Sequence, residues 1–181
     1  MALSPDGTVL AAVRYAFDED VRALVSSVVF WQTATGKEIR RFKIPPSYRL
    51  EEESPLAFAP DSRTLAVGLR DGRIGLLESA TGRERGLWVG HSRAVTALAF
   101  SSDGRILAST GKDGGGVVCL WDAATGKAVR KYEGHRGEAG PLVFSPDGAL
   151  LASAGADTTV LVWQVPGRGR KERPPPVELS A

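Results

Sequence analysis

Apolar residues along this chain fall in short bursts, not in long helical stripes. Leu150-Leu151-Ala152-Ser153 and Val160-Leu161-Val162-Trp163 are too short for buried helices, and the second is rich in β-branched residues. Polar punctuation separates such runs, and it repeats. Ser4-Pro5-Asp6-Gly7, Ala59-Pro60-Asp61-Ser62, Ser101-Ser102-Asp103-Gly104 and Ser145-Pro146-Asp147-Gly148 form one series; Thr35-Gly36-Lys37, Thr81-Gly82-Arg83 and Thr125-Gly126-Lys127 form a second. The aspartates of the first series lie 55, 42 and 44 residues apart, a period suited to a four-stranded unit. Each period therefore reads as strand, turn, strand, turn, strand, turn, strand. In the first turn proline presets one backbone angle and glycine accepts a positive one; Thr-Gly-Lys serves the third turn in the same way. Several runs are apolar throughout instead of alternating, which suits sheets covered on both faces by neighbouring sheets.

These residues carry a resemblance. A Gly-His pair, a Ser-Pro-Asp-Gly turn, a Gly-x-Asp turn and a closing Trp-Asp resemble the blades of the WD-repeat family, over roughly residues 1 to 166. The third unit has Gly90-His91, Asp103-Gly104, Ser109, Asp113 and Trp121-Asp122; the fourth has Gly134-His135, Asp147-Gly148, Ser153, Asp157 and Trp163-Gln164. The first two are degenerate: the second has Leu77-Glu78 where Trp-Asp is expected, with no Gly-His pair before it. The resemblance implies an all-β chain of β-propeller blades, each a four-stranded antiparallel sheet, in an incomplete ring of about four blades (approximately residues 1–42, 55–88, 91–133 and 135–166). It also implies that each histidine joins a buried hydrogen-bonded tetrad: His91, Ser109, Asp113 and Trp121 in one blade, His135, Ser153, Asp157 and Trp163 in the next. The chemistry suits this, because an indole N–H only donates, a hydroxyl donates and accepts, and an imidazole passes a second bond to a carboxylate. The same residue types could make a Ser/His/Asp hydrolase, but two separate copies at blade spacing favour a structural role.

Composition narrows the function classes. With 23 basic and 21 acidic residues the net charge is +2, so no whole-molecule field argues for nucleic acid or an anionic membrane. The 43% hydrophobic content is that of an ordinary globular chain. The single cysteine, Cys119, lies in the apolar run 117–121 and reads as a small buried hydrophobe. The amino terminus has no basic and apolar leader pattern, and no stretch reaches the length of a membrane span. A cytoplasmic chain without cofactor or metal is the expectation.

Three further segments invite a chemical reading. The run 111–116, Gly-Lys-Asp-Gly-Gly-Gly, lacks the ending and following helix of a phosphate loop and reads as an expanded hairpin turn. Asp18-Glu19-Asp20 lacks the alternating oxygen ligands of a calcium loop and reads as a solvated hairpin tip. The tail, 167–181, is basic and proline-rich, as in a disordered end; without interleaved aromatics, nucleic acid is not its expected partner.

The repeats break on one side only. From Asp6 to Trp31 is 25 residues, against 16 from Asp61 to Leu77 and from Asp147 to Trp163, so blade one has an enlarged second-to-third strand hairpin. The passage from blade one into blade two is also long and contains Tyr48 and Arg49. Because strands alternate in direction, these hairpins and the blade-to-blade links emerge on one face, which we call the hairpin face. Insertions in repeat proteins map to partner-binding faces, so loops near residues 15–25, 43–54, 92–94, 112–116 and 136–140 are expected to form a binding surface. Tyr48, Arg49, Arg93, Lys112 and Arg136 are its candidate anchors. The expected function is a non-catalytic scaffold for a protein partner; alternatives are a segment of a larger enzyme, such as a fused kinase or protease, and a nucleic-acid-binding propeller. Four blades leave apolar faces open, which reads either as a piece of a longer propeller or as a homodimer completing one ring.

Overall fold

The computed structural model describes residues 1–18, 22–45, 48–50, 53–167 and 178–179, and among these there are strands and turns but no helix. Blade one comprises β1 (Ala2–Leu3), β2 (Val9–Asp18), β3 (Ala23–Gln32) and β4 (Glu38–Lys43); blade two comprises β5 (Leu56–Phe58), β6 (Thr64–Gly68), β7 (Arg73–Glu78) and β8 (Glu84–Val89). Blade three holds β9 (Val95–Phe100), β10 (Ile106–Gly111), β11 (Val118–Asp122) and β12 (Ala128–Tyr132), and blade four holds β13 (Ala139–Phe144), β14 (Leu150–Gly155), β15 (Val160–Gln164) and β16 (Glu178–Leu179). Each blade is a four-stranded antiparallel sheet in sequence order, and together they form an incomplete ring of propeller blades.

The turn residues explain the hairpins. In blade three Ser101 Oγ donates to Asp103 at 2.7 Å, and the same Asp103 oxygen accepts the Arg105 N–H. Ser101 Oγ in turn accepts the Ile106 N–H at 3.0 Å. Blades one and four repeat this closed set through Ser4 and Asp6 and through Ser145 and Asp147. Blade two has Ala59 in place of the serine and keeps only the Asp61 bond to the Arg63 N–H. At the third turn the threonine hydroxyl donates to the residue that ends the third strand: Thr35 to Gln32, Thr81 to Glu78 and Thr125 to Asp122. Thus Glu78 preserves the acceptor of a Trp-Asp pair although Leu77 has replaced the tryptophan.

Three apolar layers lie between successive blades. Ala11, Val28 and Phe30 of blade one meet Leu56, Phe58, Leu65 and Leu77 of blade two. Ala66, Ile74 and Leu76 meet Leu107, Cys119 and Trp121 of blade three, and Ile106, Ala108, Val118 and Leu120 meet Leu151, Leu161 and Trp163 of blade four. An outer-strand aromatic reaches across each junction from an equivalent register position: Phe42 opposite Val28, Trp88 opposite Ile74 and Tyr132 opposite Val118. Phe42 lies so close to Gly82, and Trp88 to Gly126, that a Cβ on either glycine would overlap the ring. Tyr132 stacks on Trp163 at 4.9 Å between centroids.

Two expectations change. The long hairpin of residues 15–25 is not mainly loop: β2 and β3 each run for ten residues and pair as far as Asp18 with Ala23. Within the segment 167–181, Glu178–Leu179 is a strand paired with Leu161 and Val160, completing blade four as its outer strand. Residues 19 and 20 of the acidic cluster, and 168–177 of the tail, lie outside the described residues.

Candidate functional site

In blade three Trp121 Nε1–H donates to Ser109 Oγ at 2.8 Å, Ser109 Oγ lies 2.8 Å from His91 Nε2, and His91 Nδ1 meets the Asp113 carboxylate. Blade four repeats the chain: Trp163 Nε1–H to Ser153 Oγ at 2.8 Å, Ser153 Oγ to His135 Nε2 at 2.8 Å, and His135 Nδ1 to Asp157 at 3.2 Å. The donor inventory assigns the protons. Indole donates to the serine oxygen, the serine hydroxyl to Nε2, and Nδ1–H to the carboxylate, so each group is satisfied. Ser109 and Ser153 are fully enclosed, so neither oxygen is presented to a substrate. The glycine at each Gly-His pair is required for space: a Cβ on Gly90 would overlap Trp121, and one on Gly134 would overlap Trp163.

The aspartates do a second job at the surface. Asp113 accepts the Ser92 N–H at 2.6 Å, the Ser92 hydroxyl at 2.8 Å and the Arg93 N–H at 3.3 Å. Asp157 accepts the Arg136 N–H at 2.7 Å together with the Thr159 N–H and hydroxyl. Burial pushes the Asp113 carboxyl up, but the bonds from His91 and Ser92 outweigh it and hold it below the ordinary carboxylate range. Asp157 is held well below that range, first by the Arg136 N–H and, against some desolvation, by Thr159 and His135. Each tetrad thus ties the interior of a blade to the loop that follows the preceding blade. Arg49, Arg93, Lys112 and Arg136 are exposed on these loops and links. The Arg49 carbonyl also accepts the Arg70 N–H at 2.7 Å, which joins the long link to the blade-two hairpin.

The profile of the WD domain, G-beta repeat, matches residues 82–122 and 126–164. Over these residues the chain carries two WD repeats. Each matched repeat begins at the outer strand of one blade (β8 or β12) and continues through three strands of the next, so a WD sequence repeat straddles the junction that the outer-strand aromatics bridge. Among curated relatives, Cell division cycle 20.1, cofactor of APC complex, from Arabidopsis thaliana is 35% identical over 96 residues, covering 51% of this chain and 20% of that protein. Protein ROOT INITIATION DEFECTIVE 3 from the same plant is 38% identical over 89 residues, 49% of this chain and 19% of that protein. The solved structures of U3-55K and of the RRP9 WD40 repeats superpose with TM-scores of 0.68 and 0.67 at 24% identity, each covering 92% of this chain and 48% of the other. The chain therefore spans about a fifth of these curated relatives and about half of these solved neighbours.

Tyr48 is not a surface anchor. It is 3% exposed and belongs to the core between blades one and two. Its ring lies against Gly75, where a Cβ would come within 2.4 Å of Tyr48 Cε2. Gly75 and Val67 pair across β7 and β6 as Cys119 and Ser109 do across β11 and β10, so Tyr48 fills the place on blade two that a tetrad tryptophan crosses on blade three. With Leu77 for tryptophan and Gly75 beneath, this blade has a hole, and the long link supplies the plug. Burial, and then the Glu84 carboxylate, push the Tyr48 hydroxyl pKa well up. Asp71, at the register of Asp113, has no histidine and pairs with Arg73 at 2.7 Å instead.

The outer-strand aromatics were not among the sequence candidates. Their signal was available in the 46- and 44-residue spacing of Phe42, Trp88 and Tyr132, which is the blade period. Cys119 is buried in the layer between blades two and three, and burial, with a smaller push from the Asp113 charge, raises its thiol pKa to about 11. Among the described residues no group of three His, Cys, Asp or Glu side chains is gathered as for a metal ion.

Proposed function

We propose that this chain is a non-catalytic scaffold that holds a protein partner on its hairpin face, with Arg49, Arg93, Lys112 and Arg136 as the contacting cations and the cytoplasm as its compartment. WD-repeat proteins are in general protein-interaction scaffolds, and the first plant relative is itself named as a cofactor of a complex. The observation that carries the reading is the pair of carboxylate clamps. Asp113 and Asp157 bind the backbone of residues 92–93 and 136, so Arg93 and Arg136 stand on loops ordered in advance. Pre-ordering lowers the entropic cost of docking, and arginine is favoured at interface hot spots.

A photo-crosslinking amino acid at position 93 or 136, with positions 103 and 125 on the opposite turns as controls, tests this in the cells that make the protein. The reading expects one partner captured from 93 and 136, and loss of that capture when Arg49, Arg93, Lys112 and Arg136 are all changed to alanine. Capture of the partner from positions 103 and 125 alone would contradict it.

A further inference from the structure

One outer-strand position distinguishes the junctions between blades. In blade one Arg40 pairs across from Phe30 and in blade three Arg130 from Leu120, but in blade two the same register places Gly86 across from Leu76. Arg40 shows what such an arginine does. Its guanidinium lies over the Phe30 ring, 5.8 Å from the centroid, and donates to the Ser79 carbonyl of blade two at 2.7 Å, so a cation of one blade seals the junction with the next. Gly86 has no side chain to repeat this, and Leu76 is smaller than Phe30.

The consequence is a cavity of about 470 Å³ between blades two and three, on the side opposite the hairpin face. Pro60, Leu76 and Phe100 supply apolar wall, and Asp61, Asp103 and Asp122 stand around it. Arg105 is the only cation among the described residues that line it; its side chain is 84% exposed, with Nε 3.7 Å from Asp103. Asp61 and Asp122 each use Oδ1 within their own turns, for the Arg63 N–H and for Thr125, and among the described residues neither is ion-paired. Ala123 lines the cavity too. Its N–H donates to the Arg105 carbonyl at 2.8 Å as the Ser79 N–H donates to the Arg63 carbonyl at 2.9 Å, so Ala123 is the blade-three counterpart of Ser79. The acceptor that Arg40 finds one junction earlier is present here, and the chain brings no arginine to it from Gly86.

We propose that this cavity takes an arginine side chain from an extended segment of another protein. The guanidinium enters where the counterpart of Arg40 is missing, is held by the Ala123 carbonyl and the surrounding carboxylates, and lays its planar face on the apolar wall. The acidic rim favours the arginine of a peptide over the free amino acid, whose α-carboxylate it repels. The cavity lies between two blades inside the chain, so it does not depend on what precedes blade one or follows blade four. It also stands apart from the hairpin-face reading.

The test is a titration of the isotope-labelled chain, followed by NMR at the Gly104, Ala123 and Ala124 amides, with blocked Ala-Arg-Ala, Ala-Lys-Ala and Ala-Glu-Ala tripeptides and with free arginine. The expected result is a saturable shift of these amides with the arginine peptide, weaker binding of the lysine peptide and of free arginine, and none of the glutamate peptide. Asp61→Asn together with Asp122→Asn keeps the turn acceptors, removes two charges and should weaken binding by about threefold to tenfold. Gly86→Arg restores within the chain the arginine that blades one and three carry, and should abolish binding. Gly86→Ala is its control: it brings a Cβ to 3.3 Å from Trp88 Nε1 without filling the cavity, and should leave binding in place. No saturable shift in the wild-type chain would overturn the proposal. So would equal binding of the lysine peptide or of free arginine, or binding undiminished by Gly86→Arg or by the paired asparagine changes.

Discussion

Ser109 holds its tetrad together through a single oxygen, which accepts the Trp121 N–H and faces His91 Nε2 in the protein interior. Ser109→Ala strands both nitrogens, and each buried group left unpaired costs about 1–3 kcal/mol. A loss of that size, read as a lower denaturant midpoint at unchanged slope, is the expected outcome; a midpoint within experimental error of wild type would remove the tetrad from the account. The carboxylate end adds a pH dependence. Asp113 has a folded pKa below its unfolded value of about 3.9, so its contribution is fully present above that value and is lost as pH falls through the folded one. Several exposed carboxylates, among them Asp6, Asp71 and Asp122, shift the same way, so the useful comparison is with Asp113→Asn. Wild type is expected to lose more stability than the variant between about pH 5 and pH 2, measured by urea unfolding at each pH. These tetrads were expected through the resemblance to WD-repeat blades, whose motif residues the third and fourth units carry in order. Tyr48 was misjudged for the opposite reason. It lies outside the repeat, and its burial depends on an absence, the missing side chain of Gly75, together with Leu77 in place of an indole.

Blade two shows how an element survives the loss of its consensus residues. It lacks the turn serine, the histidine and the tryptophan, but it keeps the Asp61 turn bond, the Glu78 acceptor for Thr81 and a full apolar layer on each face. The Tyr48 ring closes the remaining gap. Tyr48→Ala should therefore destabilise by about 3–5 kcal/mol, the range for an aromatic deleted from a core, whereas Tyr48→Phe keeps the filled volume and should stay within about 1 kcal/mol of wild type. Equal losses for the two variants would place the contribution in the hydroxyl and not in the ring. The strands and their order as far as the third strand of blade four were legible in the sequence, because the two turn series mark the hairpins. The elongation of β2 and β3 was not, since an insertion between two strands reads equally well as loop or as ribbon until its pairing from Asp18 with Ala23 is seen. The strand at Glu178–Leu179 was hidden by the proline-rich, basic residues before it, which carry no strand pattern of their own.

At the scale of the whole molecule, the blades connect an apolar interior to an ordered exterior loop. Three inter-blade layers fix the stack, outer-strand aromatics bind each blade to the next, and the two tetrads carry that rigidity to the hairpin face through Asp113 and Asp157. The central claim is that these carboxylates hold the loops at 92–93 and 136 before any partner arrives. Hydrogen exchange of the free protein, resolved to single amides by NMR, tests it most directly. The Ser92, Arg93 and Arg136 amides are expected to exchange far more slowly than in an unstructured peptide, with Asp113→Ala releasing the first two and leaving Arg136 protected. Exchange of all three at the rate of an open loop in the wild-type protein would contradict the account.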